Sequence, residues 1–407
     1  MGFNPDKLNS SCPGYVLGAT LKKRNRSEIF FEEFSGHPGI LHLGRSRGQS
    51  NSSFFRRLSR SGGEYLRSTM SAVSSYSQRR PIAAKASGGI HPSFTEREAE
   101  LSALLDLTQQ ALFDSNGEIE RVGQALDALF GGLHWQKSYC TDQEWQACIG
   151  QCRAHSLLEM IHEDPFTGRA FKKPRGYAGD AELLDLIYGP EERWAKPQAS
   201  PLGMSIYHYT SSAPAAEGVR ARRGFIADLI DGLAAKTPGL DILAVAAGHL
   251  REASLTAAVR RRRIGRFVAL DADAVSLEEV KRAYGTYGVE TVTAPFSQLI
   301  TGRVALGQFD LVYSTGLYDY LSVSTGRRLV RTMFDMLKPG GQLVVANFMP
   351  GIRDVGFMEA FMDWRLIYRT RHDMADLTLE IEEPEIRDLS LFTEDSRNII
   401  FLRLTKN

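Results

Sequence analysis

Residues 241–273 read DILAVAAGHLREASLTAAVRRRRIGRFVALDAD, and this stretch decides the fold. A short apolar run ends in the small residues Ala246, Ala247 and Gly248, a helical pattern follows, and a second apolar run ends at Asp271. This pattern predicts a strand, a tight turn, a helix and a parallel strand. Small residues let the backbone of such a turn approach a ligand, but strict GxGxxG is missing, which disfavours a dinucleotide pyrophosphate site.

The alternation continues towards the C-terminus. Apolar runs VETVTA, FDLVYST and QLVVANF alternate with the helical patterns SLEEVKRAYG and TGRRLVRTMFDML. We therefore predict an α/β domain over 238–407 with a Rossmann-like, doubly wound sheet of seven strands. Its last two strands, TLEIEEPEI and NIIFLRLTK, are expected to form an antiparallel pair at the sheet edge.

Asp271 is the strongest ligand candidate in this domain. It ends the second strand about 20 residues after the glycine turn, where a carboxylate can accept hydrogen bonds from both ribose hydroxyls. Cofactors with an adenosyl group share this arrangement, so Asp271 supports such a ligand without choosing among them. Asp273 is expected to cap the next helix.

Two further regions precede this domain. Residues 93–237 predict a helical domain, which opens with the cap signal at Ser93 and contains the segment KPRGYAGD, residues 173–180. Residues 1–92 are rich in Ser, Arg and Gly and are expected to be mostly disordered. Through His91 the chain has 14 Lys and Arg against five Asp and Glu, although the whole chain has a net charge of +1.

The composition argues against several classes of protein. Hydrophobic residues make up 43% of the chain and charged residues 24%, and no apolar run approaches the length of a membrane span. No secretory signal is recognisable, so a cytoplasmic location is expected. The four cysteines do not suggest a disulfide framework, and Cys148 with Cys152 is interpreted as a pair of core residues rather than a metal site with His155 or His162. The oligomeric state is not indicated.

Several motifs resemble one protein family. The run FDLVYSTGLYDYL, followed by a helix, LKPGG and another apolar strand, is similar to class I methyltransferases, which use S-adenosylmethionine. KPRGYAGD, the turn Gly248–Glu252, GLYDYL, Asn347-Phe348 and DWRLIYR resemble the branch named after 3-hydroxypalmitic acid methyl ester biosynthesis. The likeness extends from about Phe166 to the C-terminus, and LKPGG is expected to form the tight turn into strand five.

The resemblance implies roles for particular residues. The residues it places at the cofactor are Gly248, Arg251, Glu252 and Asp271, with Ser314 and Gly316 beside the sulfonium. The turn departs from the family at Ala246, His249 and Leu250, and His249 is expected to fill part of the adenosyl pocket.

The acceptor side has its own candidates. Asp319 is the best candidate base, and the other candidate catalytic residues are Tyr318 and Tyr177. KPRGYAGD is interpreted either as a lid that holds an acidic acceptor through Lys173 or Arg175, or as a clamp in which Asp180 caps a helix. Trp364 and Tyr368, four residues apart on a predicted helix, either wall an acceptor pocket or pack in the core.

Three functions remain open from the sequence. The leading one is methylation of a small molecule on a carboxylate, such as that of a hydroxy fatty acid. A catalytically idle sensor or scaffold is the second, because the glycine turn is altered. The third, a nucleic-acid methyltransferase docking through the basic tail, is weakly supported because the tail has few aromatic residues.

Overall fold

The computed structural model describes residues 15–16, 21–25, 28–31, 93–189 and 197–407. Near the N-terminus it has three short strands: β1 (Tyr15–Val16), β2 (Leu21–Asn25) and β3 (Glu28–Phe31). The runs GYVLGAT, EIFFEEFSG and GILHL, within residues 14–43, predict two or three short strands in this region. The disorder predicted for the rest of residues 1–92 lies outside the described residues.

The described residues between 93 and 237 form eight helices. They are α1 (Phe94–Asp114), α2 (Ile119–Tyr139), α3 (Asp142–Ala154), α4 (Leu157–Ile161), α5 (Pro165–Lys172), α6 (Ala181–Tyr188), α7 (Pro201–Thr210) and α8 (Pro214–Ala234).

The helix boundaries follow local sequence signals. Ser93 and Glu96 form the capping box that begins α1, as the sequence predicted. The sequence DQEWQACIGQCRAHSLLEMIH, residues 142–162, has a helical pattern throughout, but His155 takes an extended conformation and ends α3. Asp164 begins α5 by accepting hydrogen bonds from the amides of Phe166 and Thr167.

The remaining chain alternates strands and helices. In order, it forms β4 (Leu240–Val245), α9 (Glu252–Leu255), α10 (Ala257–Arg260), β5 (Ile264–Asp271), α11 (Ala274–Tyr284), β6 (Val289–Thr293), α12 (Ser297–Ile300), β7 (Phe309–Ser314), α13 (Val323–Asp335), β8 (Leu337–Phe348), α14 (Val355–Phe361), α15 (Arg371–Asp376), β9 (Ile386–Glu394) and β10 (Ile399–Lys406).

The main sheet has the order β1-β9-β10-β8-β7-β4-β5-β6. Strands β4 to β8 are parallel, whereas β10 is antiparallel to both β8 and β9. With the two-residue β1 set aside, this is the predicted Rossmann-like sheet of seven strands. The strand order reverses beside β4, so the carboxyl ends of β4, β5 and β7 border the crevice where such sheets bind ligands.

The predicted antiparallel pair at the sheet edge is confirmed, because β9 and β10 pair at the end of the sheet. One boundary is wrong. The penultimate strand begins at Ile386 rather than Thr378, since Pro384 lies in a short 3₁₀ helix and has no amide hydrogen to donate.

The LKPGG turn also differs from expectation. Lys338 to Gly341 belong to the span of β8, but the pairing with β7 jumps from Leu337 to Gln342. The four residues therefore loop out of the ladder, with Gly340 at φ 77°. The Lys338 ammonium forms ion pairs with Asp241 at 2.7 Å and with Asp310 at 2.8 Å.

The two faces of the sheet bury different layers. Ile242 and Ala244 of β4 face a core that also contains residues of α1 to α8. Leu243 and Val245 face a second core with α13 and α15. One continuous core thus joins the helices before residue 237 to the sheet after it. Among the described residues, no helix is long and apolar enough to cross a bilayer.

Candidate active site

The turn after β4 keeps a left-handed backbone at three alternate residues. Ala246, Gly248 and Leu250 have φ values of 55°, 54° and 51°. Only one of them is glycine, so two residues with side chains adopt a conformation that costs on the order of 1–2 kcal/mol each. Strain of this kind persists where the surrounding structure imposes it, and it concentrates at ligand sites.

Asp271 braces this turn from the end of β5. Its carboxylate accepts hydrogen bonds from the amides of Gly248 at 2.8 Å and Asp273 at 2.9 Å. A carboxylate has about four acceptor positions, so about two remain for the hydroxyls of a ribose. Asp273 caps α11 through the amide of Val275, as predicted.

A cleft opens beside the turn. One wall consists of the turn with the residues that end β7, and the other consists of side chains from α6 and α8. The helical wall contains Ala181, Leu184, Tyr188, Arg222, Arg223 and Ile226. The free acceptor positions on Asp271 and the left-handed turn fit an adenosyl ligand.

Asp185 of α6 joins the helical wall to the turn. It accepts two hydrogen bonds of 2.7 Å from the Arg251 guanidinium and one of 2.9 Å from the His249 ring. Arg251 also contacts Glu279 at 3.0 Å. Burial acts to raise the pKa of Asp185, but these bonds hold it below its ordinary value. Arg251 is therefore engaged by the protein, and the His249 ring is turned towards α6.

The remaining cofactor candidates lie deeper. Glu252 is half-buried and accepts a hydrogen bond of 2.6 Å from the Tyr313 hydroxyl, and burial raises its pKa. At the end of β7 the cleft is lined by Tyr313, Thr315 and Gly316. The side chain of Ser314 is buried and is not part of this lining.

A 3₁₀ turn, Tyr318–Tyr320, follows β7 and contains the acceptor-side candidates. Tyr318 is buried in the second core, on the face of the sheet opposite α1 to α8. Asp319 is also buried and accepts a hydrogen bond of 2.7 Å from the amide of Phe348. Burial raises the pKa of Asp319 to about 6, although the nearby Arg222 acts to lower it.

KPRGYAGD crosses the carboxyl ends of the strands between α5 and α6. Gly179 packs so closely that a Cβ there would lie 2.5 Å from the Tyr320 hydroxyl and 2.9 Å from Trp364. Tyr177 is half-exposed, and burial together with the charges of Asp271 and Asp273 raises its pKa to about 12.

The charged residues of this segment are already paired. Lys173 forms an ion pair with Asp363, and Arg175 forms one with Asp273 and another with Glu182. Asp180 caps α6 through the amide of Leu183 and accepts two hydrogen bonds from Arg169. These contacts match the clamp interpretation, and in this conformation Lys173 and Arg175 have protein carboxylates as partners.

The helix predicted to hold Trp364 and Tyr368 is wrong. Residues 363–370 are not helical. The side-chain amide of Asn347 donates to the carbonyl of Ile367, and the guanidinium of Arg369 donates to the carbonyl of Tyr318. Trp364 lines a small apolar cavity together with Phe130, Phe166 and Phe348, and its indole donates to the Tyr320 hydroxyl at 2.8 Å.

Cys148 and Cys152 behave as core residues. Cys148 and Cys152 are fully buried, and burial raises the pKa of each thiol to about 12. His155 contacts Asp106, and His162 contacts the carbonyl of Phe361. Within the described ranges no cluster of His, Cys, Asp or Glu could hold a metal ion.

Sequence reasoning missed the side chains that the helices contribute to the cleft. Arg222 and Asp185 lie among buried residues on helices that were interpreted only as amphipathic. A usable signal existed in α8, where Arg222 occupies the apolar stripe of Val219, Phe225 and Ile226. A charge in such a stripe requires a partner or a ligand.

Comparisons with known proteins agree with this geometry. Residues 242–341 match a family described as a methyltransferase domain. No curated protein matches the sequence. Among solved structures, the chain is similar to a possible exported protein from Bordetella parapertussis, with 17% identity, a TM-score of 0.48, and coverage of 78% of this chain and 99% of that one.

Two enzymes are among the other similar structures. The N-methyltransferase NodS from Bradyrhizobium japonicum, in complex with S-adenosyl-L-homocysteine, has 13% identity and a TM-score of 0.35, over 56% of this chain and 99% of that one. Magnesium protoporphyrin IX methyltransferase from Synechocystis, with bound S-adenosylmethionine, has 11% identity and a TM-score of 0.34, over 56% and 98%.

The strand order, the site and the family match define a class. Residues 242–341 carry a methyltransferase domain, built on a Rossmann-like sheet.

Proposed function

We propose that this enzyme methylates a small molecule rather than a macromolecule. The observation that carries the proposal is the cover of the cleft, because α6, α8 and KPRGYAGD extend over the carboxyl ends of β4, β5 and β7. A nucleic acid or a folded protein could not reach a methyl group beneath these helices without displacing them. The basic residues 1–92 would be the docking element of a nucleic-acid enzyme, and their deletion should then abolish RNA binding.

We further propose that the methylated atom is a carboxylate oxygen, in a molecule such as a hydroxy fatty acid. The resemblance of KPRGYAGD and GLYDYL to the 3-hydroxypalmitic acid methyl ester branch supports this acceptor. A carboxylate acceptor needs no base to remove a proton, so this reaction would not depend on Asp319. Asp319 is buried, accepts a hydrogen bond from the amide of Phe348 and lies near Arg222. The Arg222 guanidinium offers a positive charge to an anionic acceptor.

The protein's contribution to such a reaction is alignment and exclusion of water. S-adenosylmethionine supplies a methyl carbon activated by a positive sulfur. Asp271 would hold the ribose, the 246–250 turn would shape the donor site, and Gly316 would allow close approach at the end of β7. Orientation of two reactants is worth on the order of 7–11 kcal/mol.

The experiment is a product assay with full-length protein, unlabelled S-adenosylmethionine and a panel of carboxylic acids, alcohols and amines. We expect a product from the hydroxy fatty acids that is 14 mass units heavier, the mass of one methylene group, and that mild alkali hydrolyses, as it does any methyl ester. An alkali-stable product would contradict the carboxylate, and methylated RNA with an inactive panel would contradict the small molecule. Asp271→Ala is the inactive control.

A catalytically idle binding protein is the second candidate. Ala246 and Leu250 carry side chains at left-handed positions of the turn, which favours this alternative. Calorimetry that detects S-adenosylhomocysteine binding together with an inactive acceptor panel would support it.

We also propose that the enzyme is cytoplasmic. Fractionation of the source cells should recover it with cytoplasmic markers, and recovery outside the cytoplasmic membrane would contradict this location.

A further inference from the structure

Arg222 presents a buried charge for which the described residues supply no hydrogen-bond acceptor. It lies on α8, its side chain is 7% exposed, and it lines the cleft. Within the described part of the chain, its nearest carboxylate oxygen belongs to Asp319, at 3.7 Å, which is too long for a hydrogen bond. A guanidinium has five N–H donors, and leaving them unused in a buried site is costly.

The neighbouring carboxylates do not satisfy it. Asp319 and Glu252 keep further acceptor positions, but among the described residues no oxygen of either lies within hydrogen-bond distance of the guanidinium. On its other side, Nη2 of Arg222 would lie 3.4 Å from a Cβ at Gly316, so the guanidinium packs over this glycine. Arg222 and Gly316 therefore line the same part of the cleft at the end of β7.

We propose that Arg222 binds the carboxylate of a ligand in this cleft and is the residue that selects anionic ligands there. A planar guanidinium and a carboxylate form two parallel hydrogen bonds, which fits a guanidinium with unused donors in the lining of a cleft. Two carboxylates could reach it: that of the amino-acid end of the donor, and that of the acceptor. The inference rests on the proposed function and deepens it.

The position of Arg222 explains why both sources must be tested. The turn after β4 and Gly316 place it beside the donor's end of the cleft, whereas Asp319 places it beside the acceptor's end. A helix from outside the family-matched residues 242–341 would thus supply the anion-binding group.

The test is calorimetry on the full chain with Arg222→Gln, Arg222→Lys and the wild type. The probes are S-adenosylhomocysteine, its analogue without the α-carboxylate, and decanoate titrated into protein saturated with S-adenosylhomocysteine. A hydrogen bond to a charged group is worth about 1.5–3 kcal/mol, so we expect Arg222→Gln to weaken binding of one carboxylate about tenfold or more. Arg222→Lys should fall in between, because it keeps the charge and loses the planar fork. Arg328→Gln, an exposed arginine on α13, is the matched control.

The arms separate the two sources. If the donor's carboxylate is bound, Arg222→Gln weakens S-adenosylhomocysteine, whereas the decarboxylated analogue binds wild type and variant alike. If the acceptor's carboxylate is bound, only decanoate is weakened. Unchanged affinity for both carboxylates in a folded Arg222→Gln protein would overturn the inference. Failure of the wild type to bind S-adenosylhomocysteine would instead contradict the proposed function.

Discussion

Asp319 is the residue at which the two acceptor chemistries predict different pH profiles. A hydroxyl or amine acceptor would need the Asp319 carboxylate as a base, and burial raises the pKa of Asp319 to about 6. Activity would then rise with pH through about 6 and be lost in Asp319→Asn. For a carboxylate acceptor we expect Asp319→Asn to retain kcat within about tenfold, with no limb near pH 6. Profiles of kcat for both proteins between pH 5 and 8 decide between them, and a loss above about 100-fold would contradict the carboxylate.

Ala246 stores strain that glycine would release. Its φ of 55° is left-handed, a conformation that costs an alanine on the order of 1–2 kcal/mol. Glycine also makes the unfolded chain more flexible, which offsets about 0.4–1 kcal/mol. We therefore expect Ala246→Gly to raise the free energy of unfolding slightly, by up to about 1 kcal/mol. Ala283→Gly, in the helix α11, should instead lower it by about 1 kcal/mol. A marked loss of stability in Ala246→Gly, measured by urea unfolding, would refute the strain.

Asp354 makes stability depend on pH. It is buried and accepts the amide of Ala215, and burial raises its pKa to about 6. The folded state then holds the proton more tightly than the unfolded chain, so its contribution to stability falls as pH rises from about 4 to about 6.

Asp354→Asn cannot ionise and should escape this loss. Relative to wild type, it should gain up to about 3 kcal/mol between pH 4 and pH 6 and nothing further above that. Thermal unfolding at a series of pH values measures the gain, with the exposed Asp388→Asn as the control. Parallel curves for wild type and Asp354→Asn would contradict the assignment.

At the scale of elements, KPRGYAGD is held in place by the close packing of Gly179. A methyl group there would meet the Tyr320 hydroxyl and the Trp364 ring, so Gly179→Ala must displace the segment from both. We expect faster hydrogen exchange in residues 173–180 and at least a tenfold loss of methyl transfer, since alignment is sensitive to small displacements. Gly150→Ala, which meets no atom within 4 Å, should change neither. Wild-type exchange in Gly179→Ala would show that the packing is not required.

The sequence predicted elements best where their own residues determine them. The βαβ order, the Ser93 cap and the Asp273 cap follow from local patterns, and all three are confirmed. The failures at His155 and at 363–370 arose where contacts distant in sequence override the period. Trp364 and Tyr368 have helical spacing, but residues 363–370 are not helical. Hydrogen bonds from the side chains of Asn347 and Arg369 join this segment to distant parts of the sequence.

The candidate site was predictable only on the sheet side. Asp271 and Gly248 were predicted because their positions after strands define them, and the structure joins them by a hydrogen bond; their ligand contacts stay a prediction. Arg222 and Asp185 were missed because nothing local separates a ligand-facing arginine from one that pairs within a helix. The left-handed angles at Ala246 and Leu250 were equally hidden, since neither residue type favours them.

At the scale of the whole molecule, Asp185 of α6 connects the helices before residue 237 to the turn after β4. It binds Arg251 and His249 in a buried site, and breaking a buried ion pair costs about 3–5 kcal/mol. We expect Asp185→Asn to lose stability of this order and to bind S-adenosylhomocysteine more weakly, because the turn would no longer be fixed. Chemical unfolding and calorimetry measure the two effects, and Asp228→Asn on the exposed face of α8 is the control. Wild-type affinity in a destabilised Asp185→Asn protein would separate folding from donor binding.

The Asp185–Arg251 pair also limits how such enzymes can be recombined. Its two members stand on opposite sides of residue 237, where the sequence pattern changes from helical to alternating. In a chimera joined at that point, the residue at the position of Asp185 would come from another protein. The guanidinium of Arg251 would then be buried without its carboxylate partner. Modular exchange of acceptor specificity between relatives should therefore succeed only when the helices and the first strand-to-helix turn are transferred as one piece.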